Sequence, residues 1–275
     1  MDHFEKLLQG LAELDDDGYV HQVYSVVLQA VNSEKMVRLL AESLHQRWLS
    51  DNGFAPVAAR LASKLSDLHA HDGDFQFGSM VYAMLMNDYR DRAKLRDANP
   101  VILCNAALFG FEFYNHFRHK GAFYESLIDP LLDLLDLLLS DDCTEHEIEC
   151  ASHLLQVYGA HLQARRYKRM QELCIKVRSI LINSDKLTAK IRYRLLEIVE
   201  LSQSRWDVDT LTPDVTKLYD RMRDRFGDHC LTLNTPPSMA SQHHSTGHRG
   251  GVYPSESFNS WTSQTSNQSR NSSMR

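Results

Sequence analysis

The stretch CTEHEIECASH places Cys143, His146, Cys150 and His153 close together, and all four are side chains that ligate zinc. A tetrahedral zinc holds its sulfur and nitrogen ligands about 2.0–2.3 Å from the metal. The acids at 141, 142, 145 and 147 mark this stretch as the start of a helix, where carboxylates meet the positive end of the helix dipole. A helical rise of about 1.5 Å per residue then separates Cys143 from Cys150 by roughly 10 Å and from His153 by roughly 15 Å. One straight helix offers two of these four ligands at most, and no other cysteine pair has a finger-like spacing. The H-E-x-x-H metalloprotease pattern fails too, because position 150 is cysteine. The stretch reads as a helix with its cysteines near the packed face and its histidines at the edge, and no metal site is expected.

A second constellation, HAHDGD at 69–74, joins His69 and His71 to Asp72 and Asp74, but here it closes a helix in a loop rather than following a buried strand. The chain contains no G-x-S-x-G, no G-x-x-x-x-G-K-[ST] and no G-x-G-x-x-G, and offers no nucleophile paired with a base. No catalytic residue, cofactor or small-molecule substrate is expected. Charge is the remaining resource. In YRDRAKLRD the cations alternate with acids, as on a solvated helix face, whereas ARRYKRM gathers Arg165, Arg166, Lys168 and Arg169. Lys176, Arg178, Lys190, Arg192 and Arg194 follow, so the C-terminal third is locally basic inside a chain of net charge −6. This region is either ordinary solvated surface or a docking face for an acidic protein or for RNA.

These side chains need a scaffold, and the sequence supplies a helical one. Pro56, Pro100 and Pro130 are the only prolines before residue 200, and apolar residues recur at spacings of three and four. Stripes run through Val20, Val23, Val27 and Val31, through Met36, Leu39, Leu40, Leu44 and Trp48, and through Val57, Leu61, Leu65 and Leu68. Asn32 or Ser33 suits an N-cap, glycines at 53 and 73 mark stops, and Pro100 suits the first turn of a helix. The pattern predicts helices at 2–14, 17–31, 34–50, 54–69, 76–96, 100–119, 123–139, 144–163, 167–182, 186–203 and 212–227. Each pair occupies about forty residues, the period of HEAT-like and armadillo-like solenoids. VILCNAALFGFEFYNHF, at 101–117, is apolar nearly all round and belongs in the middle of the stack.

Five scattered cysteines define no disulfide framework, and the longest apolar run, PLLDLLDLLL, is broken by Asp133 and Asp136. With no secretion signal at MDHFEKLLQG, a cytoplasmic chain is expected, with the nucleus also open. Beyond residue 228 the composition turns to Ser, Asn, Gln, Gly and Pro, which cannot bury enough apolar surface to offset the entropy of ordering. The expected organisation is an all-α, HEAT-like solenoid of about five helix pairs over 1–228, followed by a disordered tail over 229–275.

A family resemblance is carried by KIRYRLLEIVELSQSRW at 190–206. It is similar to the closing helix of the MIF4G domain, the middle domain of translation initiation factor 4G, with Arg192 and Tyr193, then Leu195, Leu196 and Glu197, and finally Trp206. ECASHLLQVYGAHLQA, FGSMVYAMLMNDYRDRAKLRD and GFAPVAARLASKLSDL resemble further helices of that domain, so the likeness spans residues 1–228. In layout the chain resembles small stand-alone members such as the poly(A)-binding-protein-interacting protein, the histone stem-loop partner and Mextli-type translation regulators. The resemblance implies five stacked helix pairs and no catalysis. It also implies an adaptor in mRNA translation that docks initiation factors, such as the DEAD-box helicase initiation factor 4A, or other mRNA-bound proteins. A scaffold in mRNA decay or nuclear processing, or direct RNA binding, remains the alternative. The basic extension after the tryptophan is replaced by DVDTLTPD, and no tyrosine has a leucine five residues on, so the usual peptide for the cap-binding factor 4E is absent. LNTPPSM, at 233–239, opens like a poly(A)-binding-protein peptide but lacks its alanine and phenylalanine. Trp206 is expected to pack against the end of the last solenoid helix.

Overall fold

The computed structural model describes residues 20, 23–27, 33–66, 76–119, 122–184 and 187–227, all within one unit, Met1–Thr235. The architecture is an all-α helical solenoid. Its helices are α1 (Glu34–Ser50), α2 (Ala55–Lys64), α3 (Phe77–Arg90), α4 (Arg92–Ala98), α5 (Pro100–His116), α6 (Ile128–Leu138), α7 (Glu145–Arg165), α8 (Tyr167–Asn183), α9 (Ala189–Gln203) and α10 (Pro213–Phe226). Val20 and residues 23–27 are helical as well, and Val20, Val23 and Val27 are buried. The rest of the predicted first pair, the HAHDGD loop and the predicted tail lie outside the described residues.

The middle of the stack is α5. Asn99 caps it by accepting from the Val101 amide at 3.0 Å, and Pro100 occupies the first turn. From Leu103 to Tyr114 nearly every side chain is buried, because α5 packs against α1, α2, α3, α4, α6 and α7. A helix enclosed on all sides has no use for an amphipathic pattern, which is why its sequence is apolar all round. Phe109 stacks on Trp48 of α1 with ring centroids 3.7 Å apart. The Trp48 indole donates to Asp88 of α3, which also binds His45 at 2.8 Å.

Where the helices depart from their predicted bounds, local chemistry gives the reason. The predicted helix over 76–96 is broken at Asp91 (φ −92°, ψ 11°), where Arg92 lies over the Tyr89 ring and donates to its carbonyl. The helix predicted to reach 119 stops at His116. Phe117 turns extended, stacks on Phe113, and leads into a two-residue antiparallel ribbon, β1 (Arg118–His119) with β2 (Ala122–Phe123). A 3-10 turn, Glu125–Leu127, delays α6. On α1 the buried face is Val37, Leu40, Ala41, Leu44 and Trp48. Leu39, expected in that stripe, is exposed, and Val37 takes its place.

Candidate partner-docking surface

The ligand-type residues sit at the N-terminal end of α7, where they build the fold. Thr144 caps the helix in a full capping box with Glu147. The Thr144 amide donates to Glu147 Oε2 at 2.8 Å, and Thr144 Oγ1 accepts from the Glu147 amide. Fully buried Glu147 also receives Arg96 of α4, Nε to Oε1 at 2.6 Å, and Arg96 reaches Asp142 at 3.0 Å. These bonds raise the pKa of Arg96 and keep it charged. Cys150 is fully buried, and its thiol donates to the Cys104 carbonyl at 3.7 Å. The neighbouring Cys104 thiol and burial push the Cys150 thiol far above its ordinary range. Cys104, drawn down to about 7 by the Cys150 thiol and by His146, is itself fully buried in α5. Cys143 is half-buried ahead of the helix, and His153 is buried further along it. Among the described residues, no three His, Cys, Asp or Glu side chains converge as a metal site.

The basic cluster around α8 divides into paired and unpaired cations. Arg165, at the end of α7, pairs with Glu125. Arg166 binds Asp129 through both Nε and a terminal nitrogen, at 3.0 and 3.2 Å. Arg169 binds Asp133 at 2.8 Å, and Lys176 binds Asp136 at 2.9 Å. The partners climb in the same order on both elements, so α6 and α8 run parallel, as the first helices of successive pairs must in a solenoid. Asp129, Asp133 and Asp136 share one face of α6 because they are spaced at four and three. The three-residue spacing of Asp133 and Asp136 is legible in PLLDLLDLLL, and Asp129 stands just ahead of that run. The run itself was read only for its interrupted apolar character.

The remaining candidates behave differently. Lys190 pairs with Glu149 of α7 at 2.7 Å. Arg194 is buried and donates to the Gly227 carbonyl at 2.7 Å, tying α9 to the end of α10, where Gly227 adopts φ +80°. Glu197, buried beside Arg194, receives Arg223 of α10 at 2.9 Å. Arg192 donates to the carbonyls of Leu187 and Ser184, and Arg178 to that of Cys174. Lys168 stands exposed on α8 with no carboxylate partner among the described residues. The structure therefore does not gather the nine cations into one basic face. It disperses them between a ladder, an interior clasp and a few solvent-facing positions.

Trp206 lies across α7 rather than along the end of α9. Its indole donates to Gln163 Oε1 at 3.0 Å, and its ring covers Gly159 so closely that a Cβ there would stand 2.5 Å from it. Arg205 (φ 56°) and Trp206 (φ 65°) both adopt left-handed backbone, which is costly for side chains with a Cβ. The turn is closed by the Trp206 amide donating to the Leu201 carbonyl. Beside it, a groove of about 570 Å³ opens between α7, α8 and the end of α9, lined in part by Ala160, Ala164, Tyr167, Gln171 and Arg205. Large apolar side chains stand exposed along the same flank: Tyr167 (63%), Ile175 (64%) and Ile182 (77%), all on α8. The sequence reading missed them, because a stripe three residues deep in a basic segment has no motif.

With this geometry in view, the comparisons with known proteins place the chain. The MIF4G domain matches residues 2–205, and the chain belongs to that family. It is similar to the CBP80/20-dependent translation initiation factor of Xenopus tropicalis, 28% identical over 195 residues, which cover 70% of this chain and 32% of that protein. The chain thus spans about a third of the length of that relative. It is also similar to MIF4G domain-containing protein A of Danio rerio, 23% identical over 203 residues, covering 72% of this chain and 93% of that one. MIF4G domain-containing protein of Rattus norvegicus is 24% identical over 193 residues, covering 69% and 84%. No helix among the described residues is long and apolar enough to cross a membrane.

Proposed function

We propose that this chain is a non-enzymatic adaptor in the regulation of mRNA translation, acting in the cytoplasm and organised as a solenoid over 1–228 with a disordered tail over 229–275. Its solenoid surface docks a translation initiation factor, such as the DEAD-box helicase initiation factor 4A, or another mRNA-bound protein. Membership of the MIF4G family supports this reading, as does similarity to a relative named as a translation initiation factor. The observation that carries it is the state of the basic cluster. Arg165, Arg166, Arg169, Lys176 and Lys190 are each matched to a carboxylate. A surface that binds RNA needs open cations to meet the phosphates and displace the counterions condensed on the RNA, and this cluster's cations are largely matched to the protein's own acids. Protein docking is therefore favoured over direct RNA capture.

The test is affinity purification of the full chain from cell lysate with and without RNase, partners being identified by mass spectrometry. It is paired with titration of single-stranded RNA at two salt concentrations. Initiation factors should survive RNase, and RNA binding should be weak with a shallow salt slope. Loss of all partners on RNase treatment, or a stable set drawn only from mRNA decay or nuclear processing, would overturn the assignment.

A further inference from the structure

The side of α8 turned away from α6 carries a stripe of its own. Lys168, Gln171, Ile175, Arg178 and Ile182 succeed one another at spacings of three and four, which lines them up along one face of α8. This is the seam of a helix that packs against another helix, with apolar positions alternating along the stripe. Yet Lys168, Ile175 and Ile182 are exposed, so the seam is unpartnered among the described residues. Ile182, Ile175 and Tyr167 are also the three most exposed of the large apolar side chains on the described surface. At its N-terminal end the stripe runs into the groove beside Trp206, with Tyr167 at the junction and Arg205 on the far wall.

Charge decides the occupant. On the α6 side of the helix every cation of the ladder is neutralised, whereas Lys168 and Arg178 on the seam and Arg205 in the groove meet no carboxylate among the described residues. Glu172, the single acid of α8, is engaged by Arg169 at 3.8 Å. A second copy of this chain laid on the same seam would set these cations against one another. RNA would use the cations and Tyr167 but leave Ile175 and Ile182 idle. Taking the adaptor reading as its basis, the geometry points to an acidic amphipathic helix of a partner protein, laid along α8. Its apolar residues cover Ile175 and Ile182, and its carboxylates face Lys168, Arg178 and Arg205. The α8 helix gives such a partner about 25 Å of contact.

Photo-crosslinking in RNase-treated lysate tests this, with a benzophenone amino acid placed in the full chain at position 175 and, as a control on another face, at position 39. The adduct from position 175 should be a partner peptide with net negative charge and apolar residues at helical spacing, and position 39 should not yield it. Its yield should fall at least tenfold in Lys168→Glu/Arg178→Glu, and should also fall as salt rises from 0.1 to 0.5 M. Ile175→Ser/Ile182→Ser should abolish the partner's co-purification while leaving thermal unfolding in place. An adduct to a second copy, to RNA in untreated lysate or to a basic peptide would overturn the proposal, as would no adduct above the control. If initiation factors survive RNase but position 175 captures nothing, the adaptor reading stands and this surface is wrong. If the acidic helix is captured without any initiation factor, the surface stands and the translation assignment fails.

Discussion

The two ends of α7 use their residues in opposite ways. At the N-terminal end, Thr144, Glu147, Cys150 and the incoming Arg96 look chemically capable, yet each is committed to a cap, a buried ion pair or core packing. At the C-terminal end, the residues are chemically dull: a glycine under an indole, two alanines, glutamines and a tyrosine. There the surface is left open, continuing into the bare stripe of α8. Reactive side-chain types reveal little until their exposure is known. In a scaffold, the informative feature is a run of apolar side chains aligned in water, because folding gains nothing from leaving them there.

The contrast breaks most forcefully at Glu147. Removing its carboxylate leaves Arg96, only 14% exposed, without its main counter-charge and opens the capping box at once. Glu147→Ala should cost about 3–5 kcal/mol, the range for stranding one member of a buried pair. Glu147→Gln should cost less, because an amide oxygen still accepts from the Thr144 amide. Urea unfolding measures both. A cost under 1 kcal/mol for the alanine variant would mean that the N-terminal end of α7 is no more committed to the fold than its other end.

Next in size is the Gly159–Trp206 contact. Alanine is the better helix former by about 1 kcal/mol, but a methyl group at 159 collides with the indole, and overpacking of this kind typically costs about 1–3 kcal/mol. Gly159→Ala should therefore destabilise the wild type by up to about 2 kcal/mol net of propensity. In a Trp206→Ala background the collision is gone, and the same substitution should stabilise by about 0.5–1 kcal/mol. The change of sign is the diagnostic, and unfolding of the four proteins in the cycle reads it.

How much of this was legible beforehand follows the range of the forces involved. Helix order was readable because three-and-four periodicity and caps such as Asn99–Pro100 are local. The core role of α5 was readable because a helix apolar on every side has only one place to go. The basic cluster was found as a run of charges, but its neutralisation was not. Asp129 lies 37 residues from Arg166, and nothing local to ARRYKRM signals that α6 and α8 run side by side. Trp206 was assigned to packing, yet its seat on Gly159 depends on left-handed backbone at 205 and 206, at residues with no special tendency to adopt it. The break at Asp91 likewise comes from Arg92 folding back over Tyr89 rather than from any proline or glycine.

The ladder supplies a pH-dependent measure of the closed flank of α8, the one that faces α6. Burial opposes ionisation of Asp133, but the Tyr89 hydroxyl, donating at 2.5 Å, and the Arg169 guanidinium outweigh it and hold the carboxyl below its usual range. The same bond, more than burial, raises the Tyr89 phenol. A carboxyl depressed in the folded state stabilises fully above its unfolded pKa, about 3.9, and loses that contribution as pH falls through the folded value. Asp133→Asn should therefore cost about 1 kcal/mol at pH 7, a modest figure for a partly solvated pair. The difference from wild type should shrink steadily below pH 4, in unfolding curves recorded from pH 7 to 3. A constant difference across that range would assign the effect to packing rather than to charge.

The smallest expected effect concerns the bare stripe itself. Ile175 and Ile182 are 64% and 77% exposed, so their truncation removes little buried area, and isoleucine and serine differ little in helix propensity. Ile175→Ser/Ile182→Ser should move the unfolding free energy by no more than about 0.5 kcal/mol. Val177→Ser, two residues from Ile175 but fully buried, should cost about 2–4 kcal/mol by adding an unpaired hydroxyl to a lost apolar contact. Equal costs at the two sites would mean that the outer face of α8 is covered in the free protein and is not open to a partner. A gap of 2 kcal/mol or more would leave two exposed isoleucines with no role in holding the fold together.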